Sequence, residues 1–174
     1  EMGAVIHNQR VAGILPLRVT HNDTKLNNVL LDKKTRKSLC VLDLDTVMPG
    51  LSAFDFGDSI RFGAATAAED EQDLDLFVID LHLFEIYTRG FLEAATNLTE
   101  AEVKALPMGA YTMTLEVATR FLKDYLDGDL YFKVKYPEHN LVRARTQIKL
   151  VADMEKKMAQ MEAIVSRVAA EIRK

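Results

Sequence analysis

Two short stretches hold the residues of this chain that could do chemistry. His21-Asn22-Asp23-Thr24-Lys25-Leu26-Asn27-Asn28 places a carboxylate two residues after a histidine and an amide five residues further on. Asp43-Leu44-Asp45 follows, with Asp43 fifteen residues beyond Asn28. Phosphoryl transfer needs these types of group: a base to take a proton from an attacking hydroxyl, and hard oxygen ligands for Mg²⁺. Asp23 can be the base, and Asn28 and Asp43 can be the metal ligands. Asp45 can ligate a second ion, or hold the first through water. Lys25 offers a point positive charge for the oxygens of the transferring phosphoryl group. His21 is expected to shape the turn by hydrogen-bonding the backbone rather than to react. Asp43 closes the apolar run Val41-Leu42, where a carboxylate is costly unless paired or metal-bound. Asp23, Asp43 and Asp45 converging without a cation would repel one another. The plainer readings are a turn aspartate capping its own loop at Asp23 and a surface lysine at Lys25.

These groups need elements to hold them. Leu17-Arg18-Val19-Thr20 reads as a short strand entering the loop, Asn28–Asp32 as a second, and Ser38–Leu44 as a third. The basic turn Lys33-Lys34-Thr35-Arg36-Lys37 between the last two makes a hairpin with a solvated tip. That hairpin returns Asp43 to the side of Asn28. Met48-Pro49-Gly50 is expected to break the regular structure. From Asp58 onward the pattern is helical. Leu74–Phe91 is apolar on nearly all sides and reads as a buried central helix, with His82 at its core or boundary. Thr99 and Glu102 form a capping box. Pro107 should stop or kink the helix they open, and a second should run from Met108 to Asp127, ending at Gly128. A last helix starts near Asn140. Its apolar residues Val151, Met154, Met158, Met161, Val165, Val168 and Ile172 step by three and four, a heptad seam. The seam can dock on the chain's own helices or pair with a second copy.

Composition narrows the field. With 174 residues, the chain can build one domain with a good core, or one lobe of something larger. A net charge of −4 gives no electrostatic footprint for nucleic acid. No apolar run is long enough to span a bilayer. The opening Glu1-Met2-Gly3-Ala4 lacks the basic and apolar regions of a signal peptide. A single cysteine, Cys40, rules out an internal disulfide and fits a reducing, cytoplasmic setting. Within Leu39-Cys40-Val41-Leu42 it is expected to be a small buried hydrophobe.

The loop resembles that of the aminoglycoside phosphotransferase and choline kinase superfamily, H-x-D-x-x-x-x-N followed by an aspartate at a strand end. The stretches 42–50, Asp55-Phe56-Gly57-Asp58-Ser59-Ile60-Arg61-Phe62-Gly63, Tyr131-Phe132-Lys133 and 139–147 look like its N-acetylhexosamine 1-kinase branch. The resemblance runs from about Pro16 to Val165. It implies ATP as phosphate donor, Mg²⁺ held by Asn28 and Asp43, and Asp23 as base toward the anomeric hydroxyl of N-acetylglucosamine or N-acetylgalactosamine. It further implies that Arg120 and Tyr131 face the sugar and that Asp55 supports the loop from below. The fold it implies is α+β and mostly α-helical: the C-terminal (substrate and catalytic) lobe of a protein-kinase-like fold, with a small β-hairpin region carrying the catalytic loop. Residues 16–58 would be the catalytic and metal-binding segment and 59–174 the helical subdomain. The N-terminal nucleotide lobe, with its phosphate-gripping lysine, is absent from these residues. On that reading the isolated chain is a fragment and should phosphorylate nothing at a useful rate.

Two rivals stand beside it. Val41-Leu42-Asp43-Leu44-Asp45-Thr46-Val47 also resembles the first motif of haloacid-dehalogenase-type phosphatases, with Asp43 as nucleophile and Asp45 as acid/base. That fold needs strands alternating with helices after the motif. The other rival is a non-catalytic interaction module, dimerising through the 151–172 seam.

Overall fold

The computed structural model describes residues 4–173. Glu1-Met2-Gly3, read above as no part of a signal peptide, lie outside the described residues. The order is α1 (Ala4–Val11), β1 (Arg18–Thr20), β2 (Val29–Leu31), β3 (Ser38–Val41), β4 (Met48–Gly50), α2 (Ser52–Gly63), α3 (Leu81–Ala94), α4 (Glu100–Leu126) and α5 (His139–Ile172). Short 3₁₀ turns lie at Leu26–Asn28, Leu44–Thr46 and Leu74–Leu76. The chain is α+β and mostly helical, as expected.

The strands form two antiparallel pairs. β2 and β3 make the expected hairpin, with Val29 opposite Val41. The second pair was not expected: Met48-Pro49-Gly50 is not a break but a strand, set against β1 with Thr20 opposite Met48 and Arg18 opposite Gly50. Pro49 cannot donate to a ladder, yet a two-stranded ribbon has a free edge on each side where a missing N–H is tolerated. β3 also stops early, at Val41, because Asp43 turns the backbone into the left-handed region (φ 62°). Neither face of the hairpin is deeply covered. Cys40 is therefore exposed, contrary to the buried hydrophobe expected of it.

Helices build the core. α4 packs chiefly against α5 and α2, and α3 against α5. α2 begins at Ser52, earlier than the pattern suggested, and runs unbroken across Asp58 and Ser59. Its Phe56 is fully buried and meets Phe84 and Phe91 edge-on. The Leu74–Phe91 run is not one helix. A 3₁₀ turn and a bridge between Ala65 and Ile79 come first, and Asp80 then caps α3 by accepting from the N–H groups of His82 and Leu83. A strong N-cap set by a side chain overrides apolar periodicity. His82 consequently sits exposed on the first turn rather than in the core.

The capping box forms as expected, Thr99 and Glu102 satisfying each other's backbone N–H groups. Pro107 neither stops nor divides the helix: α4 is continuous for 27 residues. Its packing explains why. A Cβ at Gly57 would collide with the Gly109 backbone, and one at Gly109 with the Ala53 backbone, so α2 and α4 approach backbone to backbone just after the proline. Contact that close on one side holds the turn that the missing N–H weakens. Gly128, at φ 95°, ends the helix in the expected way.

The heptad seam is spent inside the molecule. Val151, Met154, Met161, Val165 and Val168 are all buried in the main core, with Met158 and Ile172 packed against it. The expectation of a copy pairing through 151–172 is corrected accordingly, since the apolar stripe is already covered. Among the described residues no helix is long and apolar enough to cross a membrane.

Candidate active site

The loop between β1 and β2 is held from below and from the side. Asp55, on the first turn of α2, accepts the backbone N–H groups of His21 and Asn22, each at 2.8 Å. Burial pushes its carboxyl above the usual range; the two N–H bonds oppose this without reversing it. Thr24 Oγ1 donates to the Asp55 carbonyl at 2.6 Å, and Ser59 Oγ donates to the Thr24 carbonyl at 3.1 Å. The segment after β3 closes the other side. Thr46 Oγ1 donates to the His21 carbonyl at 2.6 Å, and Asn22 Nδ2 donates to the Thr46 carbonyl at 3.0 Å. His21 Nε2 lies 2.9 Å from the Leu42 carbonyl, so that nitrogen carries the proton. The imidazole ties loop to hairpin, the shaping part expected of it.

Asp23 is gripped asymmetrically. Lys25 Nζ reaches its Oδ2 at 2.7 Å, and Asn28 Nδ2 reaches the same Oδ2 at 2.8 Å. The Asn28 amide also bonds the Asp23 carbonyl at 2.8 Å. Oδ1 takes neither bond and is left for another donor. Partial burial works to raise the Asp23 pKa, but the bonds from Lys25 and Asn28 outweigh it and hold the carboxyl below its ordinary range. Asp23 thus stays ionised and oriented. The depression beside it, about 280 Å³, has Val29, Val41, Tyr87 and Phe91 among its walls.

Asn28 is buried (7% exposed), and its NH₂ is committed to Asp23, which leaves its Oδ1 as the acceptor atom open to a ligand. The Leu42 N–H donates to the Asn28 carbonyl at 2.8 Å, which brings the backbone of Asp43, the next residue, alongside. Asp43 makes no side-chain bond to the 3₁₀ turn it opens, and its left-handed backbone is a cost of the kind that clusters at functional sites. Two sequence expectations need correcting here. Asp43 and Asp45 are exposed, so neither is a costly buried carboxylate demanding a partner. Among the described residues no three carboxylate, histidine or cysteine side chains gather closely enough to hold a metal, so Asp23, Asp43 and Asp45 do not converge. The donor set still fits Mg²⁺, which keeps several waters and takes only one or two protein oxygens beside phosphate.

Arg120 and Tyr131 come together, in a depression whose lining does not include Asp23. The Arg120 guanidinium lies 5.6 Å from the Tyr131 ring centre and 5.4 Å from that of Phe132. Both residues line a separate shallow depression with Lys123 and Leu130.

Residues 5–90 match the model of a phosphotransferase enzyme family. The match supports a kinase-like phosphotransferase of the kind to which aminoglycoside phosphotransferases and choline kinases belong. It takes in the loop, the hairpin, α2 and most of α3, and so contains His21, Asp23, Lys25, Asn28, Asp43, Asp45 and Asp55. Arg120 and Tyr131 fall outside it. Among the described residues the run after β4 is helical apart from one bridge between Ala65 and Ile79, without the alternating strands that a haloacid-dehalogenase fold needs after its first motif.

Sequence reasoning missed part of the support. Asp58 and Arg61 form a buried ion pair at 2.8 Å (3% and 8% exposed), and Arg61 continues to Glu69 at 2.7 Å. Their spacing of three along a helix was the available signal. Thr46 gave none, because its partner is a carbonyl twenty-five residues away.

Proposed function

We propose that this chain carries the catalytic loop of an ATP- and Mg²⁺-dependent phosphotransferase acting on a sugar hydroxyl, the anomeric hydroxyl of N-acetylglucosamine or N-acetylgalactosamine. The single observation that carries this reading is the Asp23 carboxylate, with one oxygen fixed by Lys25 and Asn28 and the other free. In this reading Asp23 Oδ1 accepts the proton of the acceptor hydroxyl. The hydroxyl oxygen bonds to the terminal phosphorus as the bond to the bridging oxygen of the departing diphosphate breaks. Lys25 keeps the base ionised and offsets negative charge on the phosphoryl oxygens. Asn28 Oδ1 and Asp43 hold Mg²⁺, which supplies charge neutralisation at the phosphates. Asp45 holds a bridging water or a second ion, His21 and Asp55 keep the loop in register, and Arg120 and Tyr131 contact the sugar. Residues 16–58 act as the catalytic and metal-binding segment of a kinase-like lobe and 59–174 as its helical part.

The test is phosphorus NMR of the full-length protein with Mg²⁺, ATP and each hexosamine. The reading expects a sugar 1-phosphate to grow in as ATP falls, and expects chelation of Mg²⁺ or Asp43→Ala to stop it. ATP consumed with no sugar phosphate formed would contradict it.

A further inference from the structure

Asp124 is a carboxylate that the chain folds around. It lies one turn after Arg120 on α4 and is 6% exposed, a costly place for a charge unless its oxygens are satisfied. Here both are. Oδ1 accepts the backbone N–H groups of Leu130 and Tyr131 at 3.0 and 2.8 Å. Oδ2 accepts the N–H of Phe132 at 2.8 Å and Asn140 Nδ2 at 2.9 Å. Three consecutive N–H groups thus converge on one side chain. Burial works to raise the Asp124 pKa, but the bonds from Phe132, Tyr131 and Leu130 outweigh it and hold the carboxyl below its ordinary range.

The chain must reverse sharply to make this arrangement. Gly128 and Asp129 both take the left-handed backbone, at φ 95° and 59°, which turns the chain as α4 ends. Asn140, fully buried at the start of α5, bridges Asp124 and Asp129 through Nδ2, and its Oδ1 accepts from Arg143 Nη1 at 3.1 Å. Phe132 adds an apolar anchor, with its ring 4.7 Å from that of Phe121. Tyr131 lies between these fixed points and is itself 74% exposed, edge-on to Phe132 and beneath the Arg120 guanidinium. The backbone under that ring is ordered before any ligand arrives, and ordering met during folding is not charged against binding. Arg120 keeps donors to offer, since Glu116 stands 3.8 Å from its Nε, beyond hydrogen-bond reach.

We infer that Asp124 is a positioning residue for sugar recognition, holding the 130–132 backbone so that Tyr131 and Arg120 present one fixed face to the substrate. Its oxygens are committed to the protein, so it acts through Tyr131 rather than by touching the sugar. Asparagine cannot replace it, because only one oxygen would accept and the NH₂ would face other donors. The inference rests on the reading in which Arg120 and Tyr131 contact the sugar.

Calorimetry and steady-state kinetics of the full-length protein with N-acetylglucosamine test it. Asp124→Asn should weaken sugar binding at least about tenfold, with kcat at saturating sugar and the KM for ATP within about threefold of wild type. A merely structural residue would instead lower kcat through the active fraction and leave sugar affinity alone. Tyr131→Ala should weaken binding by a similar factor, and adding Asp124→Asn to it should cost less than about twofold more, because the shared route is already gone. Additive losses, or wild-type affinity in Asp124→Asn beside a weakened Tyr131→Ala, would overturn this inference alone. Wild-type affinity in Tyr131→Ala would overturn the sugar contact together with it. Should Asp124→Asn fail to fold, hydrogen exchange of the wild-type protein decides: the amides of 130–132 should exchange at least about tenfold more slowly than unstructured peptide, and more slowly still with sugar. Unprotected amides, or rates indifferent to the sugar, would overturn it.

Discussion

At the scale of single residues, the account turns on how one carboxylate is held. Asp23 is depressed below its ordinary pKa range because two donors share one of its oxygens. The acid limb of the rate profile should therefore lie below that range. Lys25→Met should move it upward, since the folded-state pKa rises when a favourable donor is lost; a pH profile of kcat reads this directly. A second residue-scale prediction concerns the Arg18–Glu102 pair, at 2.7 Å with Glu102 almost fully covered. The bonds from Arg18 take the Glu102 pKa down to about 2 from 4.5. A depressed carboxyl contributes stability that is present above the unfolded value and lost as pH falls between those limits. Glu102→Gln should thus cost about 2 kcal/mol in urea unfolding at pH 7, and nothing near pH 2. At this scale the sequence was legible for the grouping of His21, Asp23, Lys25 and Asn28, because these residues sit at fixed offsets within one short motif, while the place of Asp55 came from the family resemblance. It was not legible for Cys40, whose apolar neighbours suggest burial, while its strand belongs to a hairpin with no covering layer.

At the scale of elements, caps and close approaches decided what periodicity could not. The capping box at Thr99 and the stop at Gly128 were readable because each is a local signal with a local partner. Pro107 and the Leu74–Phe91 run were misread because the deciding partners are distant or polar: the α2 backbone for the proline, and the Asp80 cap for α3. The β1–β4 ribbon was hidden because its halves are separated by the whole hairpin and one of them contains a proline. The α2–α4 crossing supplies a prediction. Gly57→Ala and Gly109→Ala each place a Cβ inside a facing backbone and should cost about 2–3 kcal/mol by chemical denaturation, although alanine is the better helix former. Because α2 also carries Asp55 and Ser59, any shift at this crossing should also lower the turnover rate.

At the scale of the whole molecule, a helical core positions a site built from strand ends and loops, and α2 connects the two. The seam of α5 belongs to that core. Met161→Ala should destabilise the fold by about 3 kcal/mol while leaving the mass by light scattering unchanged, since the side chain is fully buried within its own chain. The α+β class and the hairpin could be read from the pattern. The contact of Asp124 with Asn140 could not, because the two residues sit on different helices that only the fold brings together. The central claim is that Asp23 is the base of a phosphotransferase. It is tested most directly by the steady-state kinetics of the full-length protein carrying Asp23→Asn, with Mg²⁺-ATP and N-acetylhexosamine, alongside calorimetric sugar affinity. The account predicts a fall in kcat of about 10²–10⁴-fold with sugar affinity within about threefold of wild type; an unchanged kcat would contradict it.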